Sequence, residues 1–249
     1  MRPTPRGPLD AGAAPLAEDL DPTKALLEEA LQRGSMSLVV EPFELKMQRG
    51  GASAIREAER FFMREDAVHR SLRKITSKLK ELEIPYAVAG AMALVAHGYD
   101  RTTVDVDVLV PADALSRLHA ALDGLGYLPA FAGSKALRDT ETGVRIGFLV
   151  AGQFPGDSRA KPVSFPDPST AAVEIDGIRF LSLEKLIELK LASGMTNAGR
   201  LKDLADVQEL IRVLRLDEGF ADRLDAFVRP KYSELWSALA STKDSDPSG

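Results

Sequence analysis

The chain has 249 residues, enough for one large domain or a core with a smaller appendage. Its 45% hydrophobic and 28% charged residues are the balance of a chain that folds around its own core, and its lack of cysteine excludes disulfides, zinc–thiolate sites and cysteine nucleophiles. A formal net charge of -5 argues against a strongly basic nucleic-acid binder, and no apolar run approaches the ~18 residues that span a bilayer.

No apolar segment follows Arg2 and Arg6 to make a secretory signal, so the expected location is the cytoplasm. Residues 1–21 are rich in Pro, Gly and Ala without a periodic apolar face and read as a disordered tail. Asp21 and Pro22 are placed to start a helix carrying Ala25, Leu26, Leu27 and Leu31. Ser37 to Val40 is strand-like. A long amphipathic helix is expected over 54–82, because Val68, Leu72, Ile75, Leu79 and Leu82 recur at alternating spacings of four and three. Pro85 ends it, and 22–83 forms an N-terminal helical segment.

The next stretch, 84–181, reads as the core sheet. Tyr86 to Ala89 is strand-like, Gly90 opens a tight turn, and Ala91 to His97 is a short helix stopped by Gly98. Thr102 to Val110 is a strand with Val104, Val106, Val108 and Val110 on one face. A helix follows Pro111 and ends near Gly124, and further strands are expected at 136–139 and 144–150. The segment 152–168 is dense in Pro, Gly, Asp and Ser, a composition that marks lids and binding loops. Asp176-Gly177 turns a hairpin of 172–175 and 178–181. Helices are expected at 182–193, 201–214 and 218–240, the last broken by Pro230, with a frayed tail at 241–249. The fold class is therefore α+β: a mixed sheet, flanking helices and a C-terminal helical segment over 182–240.

Side chains alternate along a strand, so Asp105 and Asp107 share the face opposite the valines, about 7 Å apart. Aspartate is depleted in strands, and two at alternate positions in a valine run is unusual. Crowded carboxylates repel each other, and a divalent cation relieves the repulsion. Oxygen ligands suit Mg²⁺, with Mn²⁺ as a substitute. Upstream, the turn at Gly90 and Ala91 enters a helix, a place where backbone N–H groups hold phosphate. The two plain alternatives are an exposed pair of aspartates and an ordinary turn.

The run AVAGAMALVAHGYDRTTVDVDVLV resembles the polymerase-β-like nucleotidyltransferase superfamily, and within it the small bacterial enzymes of the abortive-infection toxin (AbiEii) type. The matching positions are Gly90, Ala91, Arg101, Thr103, Asp105 and Asp107. The resemblance implies a nucleotidyltransferase core, Mg²⁺ held by Asp105 and Asp107, and transfer of a nucleotidyl group from an NTP. The acceptor is open among RNA, protein and small molecules, with transfer RNA one candidate by analogy with the toxins. The sequence departs from the pattern twice: Ala91 replaces a Gly or Ser, and Gly147 stands where a third carboxylate is common. The second departure leaves an alternative open, a weakened scaffold that binds a nucleotide or a protein partner without catalysis.

At 100° per residue, Lys190 falls within the apolar face of the helix from Ser182, and Asp203 and Asp206 fall in or beside that of the helix from Leu201. Charges there require partners. Lys190 and Asp203 pair to lock the helices, or Lys190 snorkels outward to solvent, or it faces the cleft and holds triphosphate oxygens. The run from Lys190 to Asp206 also resembles the superfamily's later motif, which implies a general base at Asp203 or Asp206. Arg101 is expected either on phosphate or bracing Asp105. His97 reads as structural, Lys161 as a solvated loop lysine, and Phe227 and Trp236 as core.

Overall fold

The computed structural model describes residues 66–131 and 133–244. The chain divides into two units, 1–39 and 40–249, and every described residue belongs to the second. The expected tail, the helix from Pro22, the strand-like 37–40 and the first part of the 54–82 helix lie outside the described residues.

Helix α1 spans Ala67–Glu81, capped by Asp66, whose side chain accepts from the His69 N–H. Strand β1 (Ala87–Ala89) runs directly into α2 (Gly90–Ala96), and β2 (Asp105–Val110) returns antiparallel to β1. After α3 (Ala114–Leu122) come β3 (Tyr127–Pro129), β4 (Ala136–Asp139) and β5 (Arg145–Val150). A single helical turn, α4 (Pro168–Ala171), leads into the hairpin β6 (Ala172–Ile175) and β7 (Ile178–Leu181). The rest is helical: α5 (Leu183–Thr196), a short 3₁₀ turn, α6 (Leu201–Leu214), a second 3₁₀ turn (Glu218–Arg223) and α7 (Arg229–Asp244).

The strands form one mixed seven-stranded sheet in the order β3-β4-β5-β2-β1-β7-β6, and the fold class is α+β. β2 is parallel to β5, β1 is parallel to β7, and the other neighbours are antiparallel. The valine pattern on β2 holds: Val106, Val108 and Val110 are fully or nearly buried behind the sheet. Val104 is only half-buried, because residues 102–104 approach β2 without joining the ladder. On β4, Asp139 faces away from Arg138 and accepts from Ser71 Oγ at 3.1 Å and Lys74 Nζ at 2.7 Å, which fixes α1 behind the sheet.

The C-terminal helices pack on the opposite side. Gly194 lets α6 approach α5 closely, since a Cβ there would lie 2.5 Å from Leu204 Cγ. Buried Glu188 ties the end of the chain to α5, accepting from Lys185 Nζ at 2.7 Å and the Asp225 N–H at 2.9 Å. Helix 218–240 is in fact two elements: Pro230 lies in the first turn of α7, and a 3₁₀ turn precedes it. Helix α7 runs to Asp244, past the expected fraying point at 241. No described helix is long and apolar enough to cross a membrane.

Candidate active site

Asp105 and Asp107 project from β2 into a cleft of about 270 Å³ between the sheet and α5. β1 and β5 flank β2, and their registers set Ala89 and Gly147 on either side of Asp107, with Arg145 beside Asp105. Gly90 follows β1 with a φ of 61°, a left-handed conformation that glycine adopts without strain. Its missing side chain matters as much as its φ. A Cβ on Gly90 would lie 2.5 Å from Asp107 Oδ2, and one on Gly147 would lie 2.7 Å from Asp107 Oδ1. The carboxylate is seated between two glycines.

The Asp107 side chain makes no hydrogen bond or ion pair among the described residues. Burial first, then the charge of Asp105, push its pKa from 3.8 up to about 6, against the pull of Arg145, Arg200 and Lys190. A half-buried acid with no donor of its own favours a cation. Asp105, its side chain 36% exposed, is held by neighbours: Thr103 Oγ1 donates to its Oδ1 at 3.0 Å, and Arg145 Nη1 lies 3.6 Å from its Oδ2.

The far wall of the cleft is cationic. Lys190 is 8% exposed; its Nζ donates to Asp203 Oδ1 at 3.1 Å and Asp206 Oδ2 at 2.7 Å, and the residue also lines the cleft. The helix-locking pair and the cleft-facing lysine are thus one arrangement. Asp203 further accepts from Ser193 Oγ at 2.7 Å and Arg200 Nε at 2.9 Å. Burial pushes its carboxyl up, but Lys190, Ser193 and Arg200 outweigh that and hold it below the ordinary value. An acid so saturated with donors is a poor proton acceptor. Asp206 does not line the cleft and is bound by Lys190 and Arg101. Both carboxylates act as anchors for Lys190.

Arg101 does not line the cleft. It bridges to Asp206 on α6, and Thr103 takes the bracing position on Asp105. At the turn, Ala89 and Gly90 line the cleft and Ala91 does not. His97 is structural, its Nε2 2.8 Å from the Leu181 carbonyl. Lys161 is not a solvated lysine: it holds the Pro155 carbonyl at 2.6 Å and Thr196 Oγ1 at 3.0 Å, and pairs with Asp157. It pins the loop 152–167 to α5, and that loop supplies Pro155, Gly156 and Phe165 to the cleft. Arg145 and Ser193 are site residues that the sequence pattern did not isolate. Arg145 had one usable signal, its place two residues before Gly147 on a strand; Ser193 had none.

No group of three or more acidic or histidine side chains able to hold a metal ion occurs among the described residues. The pair Asp105 and Asp107 offers carboxylate oxygens of the kind a hard cation takes.

No protein-family model matches the chain, and no curated protein matches it in sequence. Solved structures do resemble it. ANT(2″)-Ia in complex with adenylyl-2″-tobramycin is 16% identical with a TM-score of 0.42, over 70% of this chain and 97% of that one. An antigenic nucleotidyltransferase-like protein from Paracoccidioides brasiliensis is 17% identical with a TM-score of 0.39, over 72% of this chain and 88% of that one. At such values the chemistry has to be read from the side chains themselves.

Proposed function

We propose that the cleft is a nucleotidyltransferase site that binds one divalent cation and an NTP and passes the nucleotidyl group to an acceptor. The observation that carries this reading is the Asp107 carboxylate, seated between Gly90 and Gly147, without a donor of its own, beside Asp105. Asp105 and Asp107 hold Mg²⁺ or Mn²⁺, which supplies neutralisation of the phosphate charge. Lys190 has three donors, two of them taken by Asp203 and Asp206, and offers the third to a phosphate oxygen. Gly90 lets the nucleotide's phosphates approach the backbone. Phe165 and Leu149 give the cleft an apolar border against which a base or sugar packs. Phosphoryl chemistry of this kind rests on positioning and charge more than on a strong base, which suits a site whose Asp203 is a weak one.

The acceptor is a hydroxyl-bearing RNA, protein or small molecule. Transfer RNA is the choice suggested by the abortive-infection resemblance, and the cytoplasm the matching location. The test is incubation with labelled NTPs, Mg²⁺ or Mn²⁺, and cellular RNA and protein, following pyrophosphate release and the labelled product. Asp105→Asn and Asp107→Asn should each abolish release; turnover equal to wild type overturns the proposal. Gly147 favours a second reading, a module that binds nucleotide without transfer. Metal-enhanced NTP binding with no pyrophosphate released under any acceptor condition would select it.

A further inference from the structure

Arg145 is a cleft residue without an evident task. It opens β5, stands in register beside Asp105, and faces the cleft two positions before Gly147. Its guanidinium reaches in two directions. Nη1 lies 3.6 Å from Asp105 Oδ2, and a Cβ on Gly147 would lie 3.1 Å from Nη1 and 3.5 Å from Nη2. The space over Gly147 is therefore occupied by a cation. The pair with Asp105 is loose: its separation exceeds a hydrogen bond, and the Arg145 side chain is 42% exposed. Five N–H donors are held by one long contact, so the group can be drawn to a better acceptor.

We propose that Arg145 is the second cation of the site: it balances Asp105 and Asp107 while no metal ion is bound, and takes a phosphate oxygen of the NTP once a metal ion neutralises that pair. This rests on the nucleotidyltransferase reading and deepens it. Two carboxylates and one guanidinium leave a single negative charge, which one divalent ion turns positive toward a polyphosphate. A third carboxylate would require a second divalent ion to reach the same sign. Gly147 belongs to the same device, because any side chain there would crowd both the Arg145 guanidinium and the Asp107 carboxylate. An arginine fork also matches phosphate geometry better than an ammonium does.

The test uses the full chain, Mn²⁺ followed by the electron paramagnetic resonance of the free ion, and inorganic triphosphate titrated calorimetrically with Mn²⁺. Arg145→Gln should bind Mn²⁺ alone about fivefold tighter, the scale of a half-exposed ion pair removed from competition. The same variant should bind triphosphate with Mn²⁺ about tenfold more weakly, the low end for a charged hydrogen bond to phosphate. Arg145→Lys, which keeps the charge and disturbs packing least, should match wild type for Mn²⁺ and fall between the two for triphosphate. Unchanged affinities in Arg145→Gln, or two Mn²⁺ ions bound by wild type with triphosphate, overturn the role of Arg145. Should that happen while wild type still releases pyrophosphate from NTPs, the nucleotidyltransferase reading survives; absence of any Mn²⁺ binding by wild type overturns both.

Discussion

Asp107→Asn separates the stability of the protein from its chemistry. The Asp107 pKa is raised from 3.8 to about 6 by burial and by Asp105. An acid with a raised folded-state value destabilises the fold as pH climbs, because the unfolded chain loses its proton first. The penalty is small at pH 4, grows through pH 6 and is complete by pH 8. The rise from 3.8 to about 6 sets a ceiling of roughly 3 kcal/mol, and water at the cleft mouth reduces it to about 1–2 kcal/mol. Asparagine has nearly the same shape and carries no charge, so it fits between Gly90 and Gly147 without the penalty. In EDTA, thermal unfolding followed by circular dichroism should show the variant close to wild type at pH 4. At pH 8 it should melt about 3–6 °C higher, given ~2–4 °C per kcal/mol for a domain of this size. Saturating Mn²⁺ with NTP should reverse the order, since only wild type gains binding energy. Parallel pH profiles for the two proteins, or a variant less stable than wild type at pH 8, would refute the argument.

Two other outcomes follow from packing. Gly147→Asp or Gly147→Glu, which restores an acidic residue beside Asp107, should not raise activity. The new Cβ would lie 2.7 Å from Asp107 Oδ1, and the displacement of Asp107 and Arg145 should cost about 1–3 kcal/mol and lower Mn²⁺ affinity; a variant that melts like wild type and turns over NTP faster would contradict this. Lys190→Met should cost about 3 kcal/mol in urea unfolding, because Asp203 and Asp206 keep only Arg200 and Arg101 as cationic partners. An effect confined to NTP affinity, with unfolding unchanged, would show that the lysine is not part of the helix lock.

The features legible in the sequence are those with a local period. Alternation on β2 places Asp105 and Asp107 together, Asp176-Gly177 marks the hairpin, and helical angles bring Lys190 toward Asp203. Strand β3 escaped because it has three residues at the sheet edge and ends in Pro129, so it shows no period. Arg145 acquires meaning only from the parallel register of β5 on β2, which joins residues forty positions apart. Arg101 finds Asp206 across 105 positions, a pairing no local pattern encodes.

Gly147 has a second physical sense that only its neighbours across the sheet reveal. Along the chain it is a missing carboxylate, hence a loss. Across the sheet it faces Asp107, and its lack of a side chain does two things at once: it gives the Asp107 carboxylate its seat, and it leaves room for the Arg145 guanidinium. Removing an acid and admitting a base change the charge of the cleft in the same direction. The protein is then not a three-carboxylate site with one ligand absent. It is a two-carboxylate cleft with no room for a third, and a guanidinium stands on the side where another acid would have been.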